Sequence, residues 1–187
     1  MSSEFVRIEQ LRRIFDARLS AVPVGIGDDA AVLDILSLGQ NASRVVWTID
    51  SSVEGIHFRR DIVSFFDVGW RSFMAAASDL AAMGARPIGA IAAVMLTADM
   101  IDEDLCEIAR GQRAAADSIG TAVIGGNLSR AGECSISTTV LGHASRIVCR
   151  NGARPGDVLA VCGELGFAGA GLRCLLGAVA PGPTDLV

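Results

Sequence analysis

The stretch 64–96 constrains the fold more than any other. Ser64–Met83 carries Phe, Val, Trp, Met and Ala at the spacing of a buried helix. Gly84 stands where a helix C-terminus takes a left-handed residue, and Pro87 lies just beyond it. Directly after comes the apolar run Ile88–Leu96, which reads as a central strand. A long helix feeding an interior strand calls for a layered α/β domain. The Ala/Val/Met content of Ile88–Thr97, and its shortness, suit a buried strand rather than a membrane span.

The remaining elements fit around this pair. Glu4–Ala17 has helical apolar spacing through Phe5, Val6, Leu11, Ile14 and Phe15. Ala30–Ile35 and Arg44–Ile49 read as strands about a polar turn at Gly39-Gln40-Asn41, and Val53–Phe58 as a further short strand. Asp99–Ile119 reads as a helix whose first turn, Asp102, Glu103 and Asp104, complements the helix dipole. Thr121–Ile124 is a short strand expected to end in a turn at Gly125-Gly126. Ser135–Ala144 alternates as an antiparallel strand with one wet face does. Asn151–Asp157 is a turn-rich seam, with Val158–Cys162 predicted as a strand and Gly166–Leu176 as a helix beyond it. The seam divides the chain into a domain over 1–148 and a shorter segment over 149–187. The expected class is α/β of the α+β type, with a mixed, largely antiparallel sheet packed against helices. Regular βαβ alternation is absent. Gly25-Ile26-Gly27-Asp28-Asp29-Ala30 lacks the third glycine of a dinucleotide loop and runs into a strand, which excludes a Rossmann reading.

Composition removes several functions. All 16 basic residues are arginine, so a Walker A loop, which needs lysine, is excluded. A net charge of −5 without a basic block argues against a nucleic-acid surface. Cys106, Cys134, Cys149, Cys162 and Cys174 are scattered without a CxxC pair, which points to a reducing cytoplasm rather than a disulfide or zinc framework. Met1–Gln10 lacks the charged and apolar regions of a signal peptide, so neither a leader nor a membrane role is expected.

Oxygen-bearing residues recur on glycine turns and near strand ends, where hard cations find ligands. Asp28 and Asp29 follow two glycines, an arrangement shared with ordinary solvated turns. Asp50 is read as the end of an apolar strand. Asp79 lies within an Ala/Met/Leu-rich helical stretch, where burying a carboxylate requires a partner or a metal. Gly125-Gly126-Asn127 offers backbone N–H groups to a phosphate, and Arg130 and Arg150 are candidate phosphate contacts or plain surface charge. His57 has no Ser/His/Asp arrangement around it, and His143 reads as structural.

Taken in order, Gly25–Ala31 (GIGDDAA), Thr48–Phe58 (TIDSSVEGIHF), Ser78–Ala85 (SDLAAMGA), Gly125–Arg130 (GGNLSR) and Arg150–Asp157 (RNGARPGD) resemble the PurM-like, aminoimidazole ribonucleotide synthetase-like superfamily. Within it they are most similar to the thiamine-monophosphate kinase family. The resemblance implies a PurM N-terminal-like domain followed by the start of the family's C-terminal domain. It implies ATP-dependent phosphorylation of thiamine monophosphate to thiamine diphosphate by direct in-line transfer, assisted by several magnesium ions and without a protein base. Carried over by motif, Asp28, Thr48, Asp50, Asp79 and Asn127 would hold magnesium. Gly126, Asn127 and Arg150 would bind ATP, and His57 would face the thiamine substrate. The family pattern has aspartate where Asn127 stands, and usually a hydroxyl where Ile49 stands. The resemblance also implies a homodimer formed through N-terminal domains. The rival reading is a truncated, weakly active or inactive paralogue that dimerises and binds nucleotide. A selenophosphate synthetase is disfavoured by the missing lysine and N-terminal cysteine.

Overall fold

A computed structural model describes residues 4–15, 44–148, 153–163 and 165–177. The predicted strand Ala30–Ile35, the turn near Gly39 and the segment holding Asp28 and Asp29 lie outside the described residues, as does Arg150. By its contacts the chain divides into two compact units, Met1–Cys149 and Arg150–Val187.

The first unit contains α1 (Glu4–Phe15), β1 (Arg44–Val53), α2 (Phe65–Ala82), β2 (Arg86–Leu96), α3 (Asp102–Ser118), β3 (Val123–Arg130) and β4 (Ser135–Ala144). The sheet order is β1-β4-β2-β3. β4 pairs antiparallel with both β1 and β2, while β2 and β3 are parallel. The parallel pair is joined through α3, the crossover that parallel strands require.

Helix α2 begins where Ser64 caps it, its hydroxyl accepting from the Asp67 N–H at 3.1 Å. It ends at Met83, and Gly84 follows with φ +69°. Helix α3 starts at a half capping box in which the Asp104 carboxylate accepts from the Ile101 N–H at 2.9 Å. The two helices cross closely because glycines meet backbone there. A Cβ at Gly69 would lie 2.1 Å from the Ile108 carbonyl oxygen, and one at Gly111 would lie 1.9 Å from that of Phe66. Phe73, Leu80, Ile108, Ile136 and Val140 form the fully buried centre between helices and sheet. Inside it Gln112 donates to Thr138 Oγ1 at 3.2 Å and to Ser72 Oγ at 3.4 Å, a satisfied polar link from α3 to α2 and β4.

The alternation expected of Ser135–Ala144 is present: Ile136, Thr138, Val140, Gly142 and Ala144 are buried and the intervening residues half-buried. The opposite sheet face leaves Val45, Trp47, Ile49 and Ile91 exposed.

Three local expectations are corrected. Val53–Phe58 is a turn closing β1, not a second strand: Gly55 has φ +78°, and the Gly55 N–H donates to the Phe58 carbonyl at 2.8 Å. Gly125-Gly126 does not turn but lies inside β3. Ala92 of β2 approaches so closely that a Cβ at Gly126 would sit 1.9 Å from its carbonyl oxygen, so glycine is needed for pairing. Val158–Cys162 is not a strand; Val158 and Leu159 are 90% and 95% exposed, without the pairing that makes an extended segment a strand. In the second unit, α4 (Phe167–Leu175) follows Gly166, which has φ +99°. Among the described residues, no helix is long and apolar enough to cross a membrane.

Candidate functional site

Residues paired across a sheet project to the same face. Thr138 is fully buried against α3, so its partners Asp50 on β1 and Ala92 on β2 belong to the helix-facing side. Gly126 joins that row through Ala92. Thr48 lies two residues from Asp50 along β1 and shares its face, at a separation of roughly 7 Å. Its hydroxyl donates to Asp79 Oδ2 of α2 at 2.6 Å, across 31 residues of sequence. Three predicted ligands therefore share one side of the sheet, and two of them touch.

Asn127 is placed differently. It pairs with Ala93, which pairs with Ser137 and through it with Ser51, a row on the open face. Its amide nitrogen donates to Ser129 Oγ at 3.0 Å. The structure does not bring Asn127 to the side carrying Thr48, Asp50 and Asp79.

Two premises about the carboxylates change. Asp50 is internal to β1 rather than at its end, because the strand continues to Val53. Asp79 is exposed rather than buried, since α2 turns Ala76, Ala77 and Leu80 inward and leaves Ser78 and Asp79 outside. Its partner is the Thr48 hydroxyl, and it is not enclosed in apolar surroundings. Asp50 Oδ1 accepts the Ser51 N–H at 2.7 Å.

His57 sits exposed in the turn after β1. The Val53 N–H donates to its Nδ1 at 3.1 Å, so the neutral ring carries its proton on Nε2. Arg71 of α2 donates to the His57 carbonyl at 2.6 Å and ties the turn to the helix. The turn has a second anchor that sequence reasoning missed. Glu54 accepts from Arg60 Nε at 2.5 Å and from the Cys134 N–H at 3.4 Å, and Arg60 also donates to Asp99 at 2.9 Å. The glutamate's place in VEG was the available signal, but Cys134 lies 80 residues away. Burial, with the Glu54 charge nearby, pushes the Cys134 thiol up to about 11 and makes it a poor nucleophile.

The donor set, carboxylate and hydroxyl oxygens rather than thiolate or imidazole, suits a hard cation. Among the described residues, no group of three or more His, Cys, Asp or Glu side chains is arranged to hold a metal. Asp50 and Asp79 are two carboxylates on the helix-facing side, and magnesium is commonly bound through one or two carboxylates when phosphates and waters complete its shell.

Residues 27–144 match the family described as AIR synthase related protein, N-terminal domain. The thiamine-monophosphate kinase of Rhodopirellula baltica is 40% identical over 153 residues, covering 80% of this chain and 48% of the relative. That of Aquifex aeolicus is 31% identical over 173 residues, covering 92% and 53%. Among solved structures, the thiamine-monophosphate kinase of Stenotrophomonas maltophilia K279a superposes with a TM-score of 0.78 at 33% identity, covering 94% of this chain and 54% of that one. AaThiL complexed with AMPPCP and TMP superposes with a TM-score of 0.71 at 28% identity, covering 98% and 57%. The chain spans about half the length of the curated relatives it matches. It belongs to the AIR synthase related protein family, matching its N-terminal domain, and its relatives there include thiamine-monophosphate kinases.

Proposed function

We propose that this chain acts as an ATP- and magnesium-dependent kinase that phosphorylates thiamine monophosphate to thiamine diphosphate. The observation that carries the reading is the 2.6 Å contact between Thr48 and Asp79, which joins two of the ordered motifs on one face beside Asp50. The relatives' names, and the AMPPCP and TMP in one of their structures, support the same substrates.

The acceptor is a phosphate oxygen, already ionised at neutral pH, so the protein need not supply a base. Its task is to position two anions and neutralise their repulsion. Asp50 and Asp79, with Thr48 bonded to Asp79, would hold magnesium together with Asp28 from the preceding motif. Bound magnesium would supply charge neutralisation and in-line alignment of the phosphates. Gly126, Asn127 and Arg150 are assigned to ATP. Gly126 shares the side of Asp50 whereas Asn127 lies on the other face, so Asn127 is assigned to a part of ATP away from the ion held by Asp79. His57 presents its Nε2–H to the thiamine substrate, with Nδ1 occupied by the Val53 N–H. The exposed apolar row Val45, Trp47 and Ile49 is assigned to a homodimer contact, and scattered cysteines without a CxxC pair suit a cytoplasmic protein.

The test is thiamine diphosphate formation by this chain with ATP and thiamine monophosphate, followed chromatographically. Product that disappears on magnesium chelation supports the reading. Absence of both product and ATP binding overturns it. ATP binding without product favours the inactive nucleotide-binding paralogue, the reading suggested by Asn127 in place of aspartate.

A further inference from the structure

Among the described residues, strand β1 lies at the edge of the sheet, held by β4 on one side. An edge strand has fewer constraints than an interior one, yet Thr48 must present its hydroxyl to Asp79 within hydrogen-bond reach. Two residues outside the motifs supply an added restraint. The Trp47 indole N–H donates to Thr139 Oγ1 at 2.5 Å, and Thr139 Oγ1 donates to the Thr48 carbonyl at 2.6 Å.

The direction of this chain is fixed by chemistry. An indole nitrogen can only donate, so Thr139 must accept from it, and the single hydroxyl proton of Thr139 then goes to Thr48. Thr139 pairs with Ile49 and lies on the open face, while the Thr48 side chain lies on the helix-facing side. One residue, Thr48, is therefore gripped through its carbonyl by β4 and through its hydroxyl by α2.

We infer that Thr139, oriented by Trp47, is a positioning residue that fixes Thr48 against Asp79 and so prepares the cation-binding side of the sheet. The role in cation binding rests on the kinase reading above, whereas the restraint on Thr48 does not.

The experiment separates the two. Three-bond couplings at the Thr48 side chain, measured by NMR on the full chain without ligand, report whether Thr48 keeps one rotamer. Calorimetry with ATP and Mg2+ reports binding. In Thr139→Val, which keeps the shape but removes both hydrogen bonds, the couplings become averaged and the Kd for ATP with Mg2+ rises about fivefold, the effect of one net hydrogen bond. Thr139→Ser restores both readouts. Trp47→Phe, which removes the donor without touching β4, averages the couplings to a lesser degree and provides a second variant should Thr139→Val fail to fold. A general packing role for Thr139 would lower the melting temperature without changing either readout and without rescue by serine; that result overturns the inference. Unchanged Thr48 couplings in both Thr139→Val and Trp47→Phe overturn it as well. If the unmodified chain binds no ATP with Mg2+, the kinase reading fails, and the couplings still decide the restraint.

Discussion

Replacing Gly111 with alanine tests whether the α2–α3 contact holds the helix that carries Asp79. The added Cβ would lie 1.9 Å from the Phe66 carbonyl oxygen and 2.8 Å from the Trp70 nitrogen, against 3.4 Å for ordinary contact. The helices must therefore separate by about 1.5 Å at this point, the difference between 3.4 and 1.9 Å. Both obstacles are backbone, so no side chain can rotate away. Overpacking of this kind costs about 1–3 kcal/mol, and alanine in a helix interior returns about 1 kcal/mol relative to glycine. Because the obstruction cannot yield locally, the upper part of that range applies, leaving a net loss of about 2 kcal/mol. For a chain of this size that lowers the melting temperature by roughly 4–8 °C. Urea denaturation should show the same loss with an unchanged slope. Gly132→Ala, where a Cβ meets nothing within 4 Å, is the control and should stay within about 0.5 kcal/mol. A Gly111→Ala variant as stable as the unmodified chain would refute the claim that the crossing depends on backbone contact.

Thiol chemistry provides a second set of outcomes. Exposed Cys162 should alkylate readily in the native protein, while buried Cys106 and Cys134 react only after unfolding. The Cys134 thiol has an ordinary value of 9.0 and is pushed up to about 11 by burial in the folded state. Between those values the unfolded chain has lost a proton that the folded chain retains, so stability falls as pH rises. Cys134→Ala should flatten that decline; identical slopes in both proteins would contradict it. On the open face, Ile49→Arg should weaken the proposed self-association in sedimentation experiments while leaving the helical circular dichroism intact. An equally associated variant would remove that face as the dimer contact.

Much of the fold was legible because local chemistry and tertiary packing agree. Ser64 and Gly84 bound a helix whose apolar spacing matches the face it buries, and β4 alternates as its two surroundings require. Disagreement arises where distant backbone decides. Gly125-Gly126 resembles a turn in isolation, but its purpose is set by Ala92 on the neighbouring strand. Asp79 looked buried because its neighbours are apolar. The helix turns those neighbours inward and leaves the carboxylate outside, a matter of rotation about the axis rather than composition. The motif order pointed to Thr48, Asp50 and Asp79, and the sheet register places them on one side. Asn127 falls on the other side because β3 pairs with β2 in a register that the glycine pair alone does not reveal. Trp47 and Thr139 carry no motif, and their contact spans 92 residues, so nothing local announces it.

Asp50 and Asp79 are proposed to hold ATP through magnesium. Calorimetry of ATP binding to this chain, with magnesium and with the metal chelated, addresses that claim directly, alongside Asp79→Ala under both conditions. Chelation should weaken ATP binding to the unmodified chain at least tenfold, about 1.4 kcal/mol, and Asp79→Ala should lose a similar amount with magnesium present but little more when it is removed. Equal affinity for ATP with and without magnesium, or an Asp79→Ala variant that keeps the full magnesium effect, would contradict it.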